Sequence, residues 1–326
     1  MTRRSFSIVI NTVDRARSLA QTLEALELLD HPSFEVVVVN GPSTDGTDRL
    51  LEQWASRVKL GRCENRNLSE SRNLGIALAA GELVAFIDDD AYPDPAWLDR
   101  LEEAYDDPEV AAAGGPVYSH DGVGIQAWYT RQDRLGEPWT SMEPDPMFNP
   151  SPALAFPKSR QFICTLGTNS SFRRDRLLEI GGFDEEFEYY MDETDVCCRL
   201  VDSGYVIRAL DDGFVYHKYL ANDIRGNNRT VRDFYHVLKS VFYLILKHGS
   251  DTYSPLEISE AIAQRGEFWR RYVEEHIAAG ELAAADLARF ESDANKASAV
   301  ALSAFNSGST RTRTPEWFFS RESPFL

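Results

Sequence analysis

The sequence predicts an α/β fold: a mostly parallel sheet covered by helices on both faces, followed by a helical C-terminal extension. Three observations carry that expectation. Short β-branched runs alternate with amphipathic segments through the first hundred residues, the pattern of repeated strand–helix–strand units. The chain has 326 residues and is 43% hydrophobic, enough for a large core. Beyond about residue 230, long stretches of helical spacing replace the alternation.

Taken in order, "FSIVIN" (6–11) reads as the first strand, and Leu19, Leu23, Leu26 and Leu29 give residues 15–29 an apolar helical stripe. "FEVVVVNG" (34–41) is nearly all β-branched, as expected of a parallel strand buried on both faces. A helix over 43–55 opens on cap-type residues, with Asp45 a candidate N-cap. A third strand spans 57–64, and a helix over 69–81 takes Ser69 as its cap and Gly81 as its stop. The strand "ELVAFID" (82–88) precedes a helix over 94–106, with Asp94 as N-cap and Pro95 at the first helical position. From 107 to 160 periodicity is weak and Pro and aromatics accumulate, which reads as a lid or substrate loop or a passive excursion. Order returns over 161–219, residues 230–247 and 257–305 read as helices, and the tail after 309 reads as a mobile or surface-draped end.

Charge and cysteine content narrow the function. Lys+Arg 34 against Asp+Glu 52 gives a net charge of −18, which argues against nucleic acid as a partner. Cys63, Cys164, Cys197 and Cys198 lack metal or redox spacing and read as reduced thiols of a cytoplasmic protein. The N-terminal segment carries no signal-peptide pattern, and no run approaches the length of a membrane span. Residues 232–248 place Phe234, Val237, Leu238, Val241, Phe242 and Ile245 among basic residues. This stripe either lies on the inner face of a membrane or packs against the chain's own domain or a second subunit in a homodimer.

In open parallel sheets ligands bind beyond the carboxyl ends of the strands. Asn11, Thr12, Asn40, Ser43, Asp45 and the triplet Asp88, Asp89 and Asp90 all fall at such ends. Three adjacent carboxylates either form a solvated turn ahead of a helix or face a ligand crevice. The turn "NTVDRARS" has no glycine, which excludes a GxGxxG dinucleotide site. A nucleotidyltransferase has only Arg15 and Arg17 for its phosphate loop.

Five segments, "SIVINTVDRARSLAQTLEAL", "VVVVNGPSTDGT", "SESRNLGIALAAGELVAFIDDDAYPDPAWL", "GTNSSFRRDRLLEIGGFDEEF" and "MDETDVCCRLVDSGY", resemble in order and spacing the successive blocks of family 2 glycosyltransferases of the Rossmann-like GT-A fold. The resemblance covers about residues 5–220. It implies a glycosyltransferase domain over 1–220, with a nucleotide-binding half (1–106) and an acceptor and catalytic half (107–220), and leaves 221–326 as a helical extension and tail. It further implies transfer of a sugar, with inversion, from a nucleoside diphosphate sugar of UDP, GDP or dTDP type to a hydroxyl acceptor, saccharide or lipid-linked. A fold kept only for binding sugar or nucleotide is the alternative.

The resemblance assigns residues one by one. A hard cation, Mn²⁺ or Mg²⁺, would bridge the diphosphate, with Asp90 and Asp88 at the outer carboxylates of the family's DxD motif and His217 as a third ligand. Asp88 also falls on the ribose side, and Asp89 points the other way if the backbone stays extended. The catalytic base, needed because a sugar hydroxyl ionises far above neutrality, falls on Glu193, or on Asp192 if the register slips. Asp195 and Arg199, four apart, form a helix-surface or scaffold pair. Nucleotide contacts fall on Thr12, Asn40 and Arg72. Gly41 stands where relatives carry a base-binding acid, leaving the base to Asn40 or to backbone. Gly167, Thr168 and Asn169 would touch the sugars. Trp128, Trp139 and Phe148 either stack on the acceptor or anchor their loop.

Overall fold

The computed structural model of the chain describes residues 3–142, 156–226 and 228–308. Its first half follows the expected rhythm: β1 (Phe6–Thr12), α1 (Ala16–Leu26), β2 (Phe34–Asn40), α2 (Thr47–Trp54), β3 (Lys59–Arg62), α3 (Leu68–Leu78) and β4 (Leu83–Phe86). Valines of β2 show why the run is β-branched throughout. Val36 and Val38 enter the core beneath α1 and α2, while Val37 and Val39 enter the core beneath α3. Each such side chain, fully buried, contributes about 1.5–3 kcal/mol.

Two helix starts differ from expectation. Asn67, not Ser69, caps α3, its side chain accepting from the Glu70 amide, while the Ser69 hydroxyl donates to the carbonyl of Phe187. Asp94 closes a turn ahead of the helix, accepting from the Ala96 and Trp97 amides, and α4 (Trp97–Ala104) begins two residues later than Pro95. Local Asx geometry serves the turn here rather than the helix.

The region expected to be irregular is built largely of short strands. After β5 (Ala91–Pro93) come β6 (Val110–Gly114), β7 (Val117–Ser119), β8 (Ile125–Ala127), β9 (Tyr129–Asp133) and β10 (Pro138–Ser141). Segments of three to five residues are too short to establish a period in sequence. Then follow β11 (Gln161–Cys164), β12 (Ser170–Arg173), α5 (Arg174–Glu179), α6 (Asp192–Asp202), β13 (Val206–Ala209) and β14 (Val215–His217). The extension comprises α7 (Phe234–Gly249), α8 (Pro255–Ala278) and α9 (Ala285–Asn306).

The main sheet has the order β13-β6-β12-β4-β1-β2-β3. Only β12 runs against its neighbours, pairing Ser170 with Phe86. That reversal positions the site, because the start of β12 lies at the same rim as the ends of β1 and β4. A second sheet, β5-β14-β7-β8, pairs His217 with Ala91 and so returns the end of β14 to the acidic triplet. The third, β10-β9-β11, stands beside it.

The stripe of α7 is not free to meet a bilayer. Phe234, Val237, Leu238, Val241, Phe242 and Ile245 are buried in a third core with residues of α8 and α9 and with Phe187 and Met191. No described helix is long and apolar enough to cross a membrane. A buried charge network fastens this extension to α6: Asp195 pairs with Arg199 at 2.7 Å, with Lys247 at 2.7 Å and with His248 at 2.8 Å. Of the two expectations for this i,i+4 pair, a helix-surface pair or a scaffold pair, the structure bears out the scaffold.

Candidate active site

A cleft of about 660 Å³ opens at the rim where β1, β4 and the start of β12 meet. The first residues of α6, the segment after β14 and the first turn of α7 complete it, so residues beyond 220 line the cleft too. Its size is that of a site for a substrate rather than for a lone ion.

Asp88, Asp89 and Asp90 follow β4 and all face this cleft. Asp90 is held hard: its carboxylate accepts from His217 Nε2 at 3.0 Å and from the Leu220 amide at 2.8 Å. Burial works to raise its pKa, yet hydrogen bonding and charge from His217, with the Leu220 amide, hold it below the usual value. Asp88 lies 3.4 Å from the same imidazole and, through burial first and the Asp90 charge next, is raised. Asp89 turns to β1, where the Thr12 hydroxyl donates to it at 2.6 Å. Burial pushes it up to about 7.

The ligand atoms of Asp88, Asp90 and His217 lie within 4.8 Å of one another. Two carboxylates and an imidazole converging so closely fit a hard-to-borderline divalent ion such as Mn²⁺, and an ion there would reverse the cost of crowding these acids. Thr168, before β12, accepts from the Asp88 amide at 3.2 Å and fixes the turn.

The acidic start of α6 lines the same cleft. Arg72, on α3 and 3% exposed, donates to Asp192 Oδ2, and its Nη1 lies 3.8 Å from Glu193 Oε2. Arg72 Nε and Asp192 Oδ1 are buried without a hydrogen-bond partner among the described residues. Burial foremost, then the Asp192 charge, pushes Glu193 up to about 8, while Arg72 opposes the rise. Gly167 closes the arrangement: a Cβ there would sit 3.0 Å from Arg72 Nη2 and 3.8 Å from Glu193 Oε2. Tyr190 and Met191, immediately before these acids, both hold positive φ, 73° and 66°. Non-glycine residues adopt that conformation only where the surroundings enforce it.

A metal-type cluster and a raised carboxylate lining one crevice call for comparison with known chains. The description Glycosyl transferase family 2 matches residues 7–180. The chain belongs to this family. Among curated relatives, the glucosyl-dolichyl phosphate glucuronosyltransferase of Haloferax volcanii is 29% identical over 218 residues, 60% of this chain and 63% of that one. The chain spans 17% and 24% of the length of two others. Among solved structures, the mannosyltransferase PcManGT from Pyrobaculum calidifontis in complex with GDP-Man and Mn²⁺ is 20% identical, with a TM-score of 0.56 over 95% of this chain and 84% of that one. S. aureus TarS 1–349 in complex with UDP-GlcNAc is 17% identical, with a TM-score of 0.53 over 93% and 92%. At such identities the likeness is one of fold, and it bears out the expected GT-A architecture.

Within this family 2 chain the structure brings most expected residues to the cleft: Thr12, Arg72, Asp88, Asp89, Asp90, Gly167, Thr168, Asp192, Glu193 and His217 all line it. Two do not reach it. Asn169 is fully buried, donating to the carbonyls of Pro116 and Gly213 and accepting from Trp97 Nε1, so its amide is a strut behind the cleft. Asn40 donates to Asp48 and accepts from Ser43, bracing the turn whose Gly41 faces the cleft. A Cβ on Gly41 would lie 2.3 Å from Val13 Cγ2, so the floor requires glycine there. The cap of α2 is Gly46 and not Asp45, which precedes it, accepting from the Thr47 and Ala16 amides. Trp128 packs edge-on against Tyr118 and Phe214, an anchor rather than a stacking platform. Phe148, the side chain of Trp139 and the tail after 308 lie outside the described residues.

Sequence reading missed the segment after β14, of which Tyr219, Leu220, Ile224, Arg225 and Arg229 line the cleft. Arg15 donates to the carbonyls of Leu220 and Ala221, and Arg66 joins Asp14 to Asp223. The available signal was a Gly/Asn-rich loop carrying two arginines just after His217.

Proposed function

We propose that the chain transfers a glycosyl group, with inversion, from a nucleoside diphosphate sugar to an acceptor hydroxyl during glycoconjugate or polysaccharide synthesis. The observation that carries this reading is that the Asp88–Asp90–His217 cluster and the raised Glu193 line a single cleft. Asp88, Asp90 and His217 would hold a divalent cation, which supplies charge neutralisation for the departing diphosphate.

The chain's own residues account for the rest. Thr12 and Asp89, bonded to each other, form a polar edge at the end of β1 suited to a nucleoside. Glu193 is raised, and therefore a stronger base when ionised than an ordinary carboxylate. It accepts the proton of the acceptor hydroxyl as that oxygen bonds to the anomeric carbon and the bond to the diphosphate breaks. Attack from the face opposite the leaving group inverts the centre. Arg72 holds Asp192 as its partner and opposes the rise of Glu193. Gly167 leaves the space that lets a sugar approach the base.

The test is a thermal-shift panel of UDP, GDP and dTDP with their sugars, with and without Mn²⁺. A ligand at 100 times its dissociation constant stabilises by about 2.7 kcal/mol. Stabilisation that requires the cation supports the reading. An equal shift without cation removes the metal cluster from it.

A further inference from the structure

The cleft is lined by five arginines, Arg15, Arg66, Arg72, Arg225 and Arg229. The first three are engaged, with carbonyls, with Asp14 and Asp223, and with Asp192. Neither Arg225 nor Arg229 has a carboxylate within ion-pair distance among the described residues, in a chain whose net charge is −18. Arg225 Nε is buried with no hydrogen-bond partner among the described residues. Both guanidiniums lie by tyrosine rings: Arg225 5.7 Å from the centroids of Tyr189 and Tyr190, Arg229 4.2 Å from that of Tyr219. Such packing fixes a guanidinium while leaving its N–H edge free to meet an anion.

The two arginines flank different chemistry. The Tyr219 ring lies tilted against that of His217, 4.1 Å between centroids, so Arg229 stands on the side of the metal-type cluster. Tyr189 and Tyr190 lead directly into Asp192 and Glu193, so Arg225 stands on the side of the base. Its loop is also preformed: Arg225 bridges to Val231, its amide donates to Asn222 Oδ1 at 2.8 Å, and the Arg232 amide donates to the Ile224 carbonyl at 2.7 Å.

We infer that Arg225 binds an anionic substituent of the acceptor, a phosphate ester or a carboxylate carried close to the hydroxyl that is glycosylated. This rests on the transferase reading above. A planar guanidinium meets either group through paired N–H donors, and a neutral acceptor offers it nothing comparable.

Calorimetric titration of the full chain with phenyl phosphate, phenyl β-glucuronide and phenyl β-glucoside, each with and without UDP and Mn²⁺, tests the assignment. Both acidic probes, or one of them, bind at least tenfold more tightly than the glucoside, and do so with UDP and Mn²⁺ present. R225Q abolishes that preference, and R225K restores much of it. The tighter of the two acidic probes identifies phosphate or carboxylate as the natural group. Equal binding of acidic and neutral probes, an unchanged preference in R225Q, or displacement of the acidic probes by UDP and Mn²⁺ overturns the inference. The last result would move Arg225 to the donor's diphosphate. Should R225Q fail to fold, discrimination by the unmodified chain decides. Failure of UDP, GDP and dTDP all to bind with Mn²⁺ would instead defeat the transferase reading itself, whatever the anions do.

Discussion

Arg72 and Asp192 form a buried ion pair whose guanidinium also stands 3.8 Å from Glu193. One cation thus serves two acids, and the second is left only partly compensated. Removing either partner of the pair therefore changes the proton affinity of Glu193 in opposite directions.

Turnover is expected to rise with pH through the region near 8, the value to which burial and Asp192 push Glu193, because the base must be ionised. D192N removes the neighbouring charge, so the acid limb moves to lower pH. R72Q removes the opposing cation, so it moves higher. E193Q should lose about 10²–10⁴-fold in rate while still binding donor. Profiles of kcat/KM against pH check all three; identical limbs in D192N and R72Q would take the base role away from Glu193.

The same shift has a stability cost with a definite sign. Glu193 binds its proton more tightly folded than unfolded, so its contribution favours the fold below the unfolded value near 4.5 and is lost as pH rises toward about 8. E193Q should consequently be more stable than the parent at pH 8.5 by about 1–3 kcal/mol and nearly equal at pH 5. Urea unfolding at the two pH values measures the difference.

Asp195 behaves oppositely. Burial works against its ionised form, but Arg199, Lys247 and His248 hold its pKa well below the usual range, so its stabilisation is present above about 3.8 and is lost as pH falls further. D195A takes from Arg199 its carboxylate partner and leaves Lys247 with Asp184 alone, and should cost about 3–5 kcal/mol. A D195A chain as stable as the parent in urea would show that the network does not fasten the extension.

Asn169 gives a test that separates support from contact. N169A strands Trp97 Nε1 and the carbonyls of Pro116 and Gly213, and should cost about 1–3 kcal/mol for the partners left unpaired. T12V, which leaves Asp89 without its hydroxyl donor, should instead weaken nucleotide binding with little change in melting temperature. Thermal unfolding and nucleotide titration of the two variants read out the contrast.

These cases mark how far the sequence can be read. β1, β2 and β4 were legible because parallel strands buried on both faces are runs of β-branched residues, and the triplet after β4 was legible because ligands gather at such ends. His217 needed the resemblance, since its approach to Asp90 follows from the pairing of β14 with β5, strands of three residues each. Asn169 and Asn40 have residue types equally suited to ligands and to struts, and only the direction of the side chain separates the two. Arg225 and Arg229 lay in a loop with no period, where nothing local tells a free guanidinium from a paired one.

The central claim is that Asp88, Asp90 and His217 hold a divalent ion together with a nucleoside diphosphate. Electron paramagnetic resonance of Mn²⁺ measures it directly, because the free-ion signal falls as the ion is bound. In titrations with UDP, GDP and dTDP in turn, the account predicts that at least one nucleotide promotes Mn²⁺ binding, and that D90A and H217A each weaken it by tenfold or more while E193Q does not. Mn²⁺ binding that is independent of nucleotide and unchanged in D90A and H217A would contradict it.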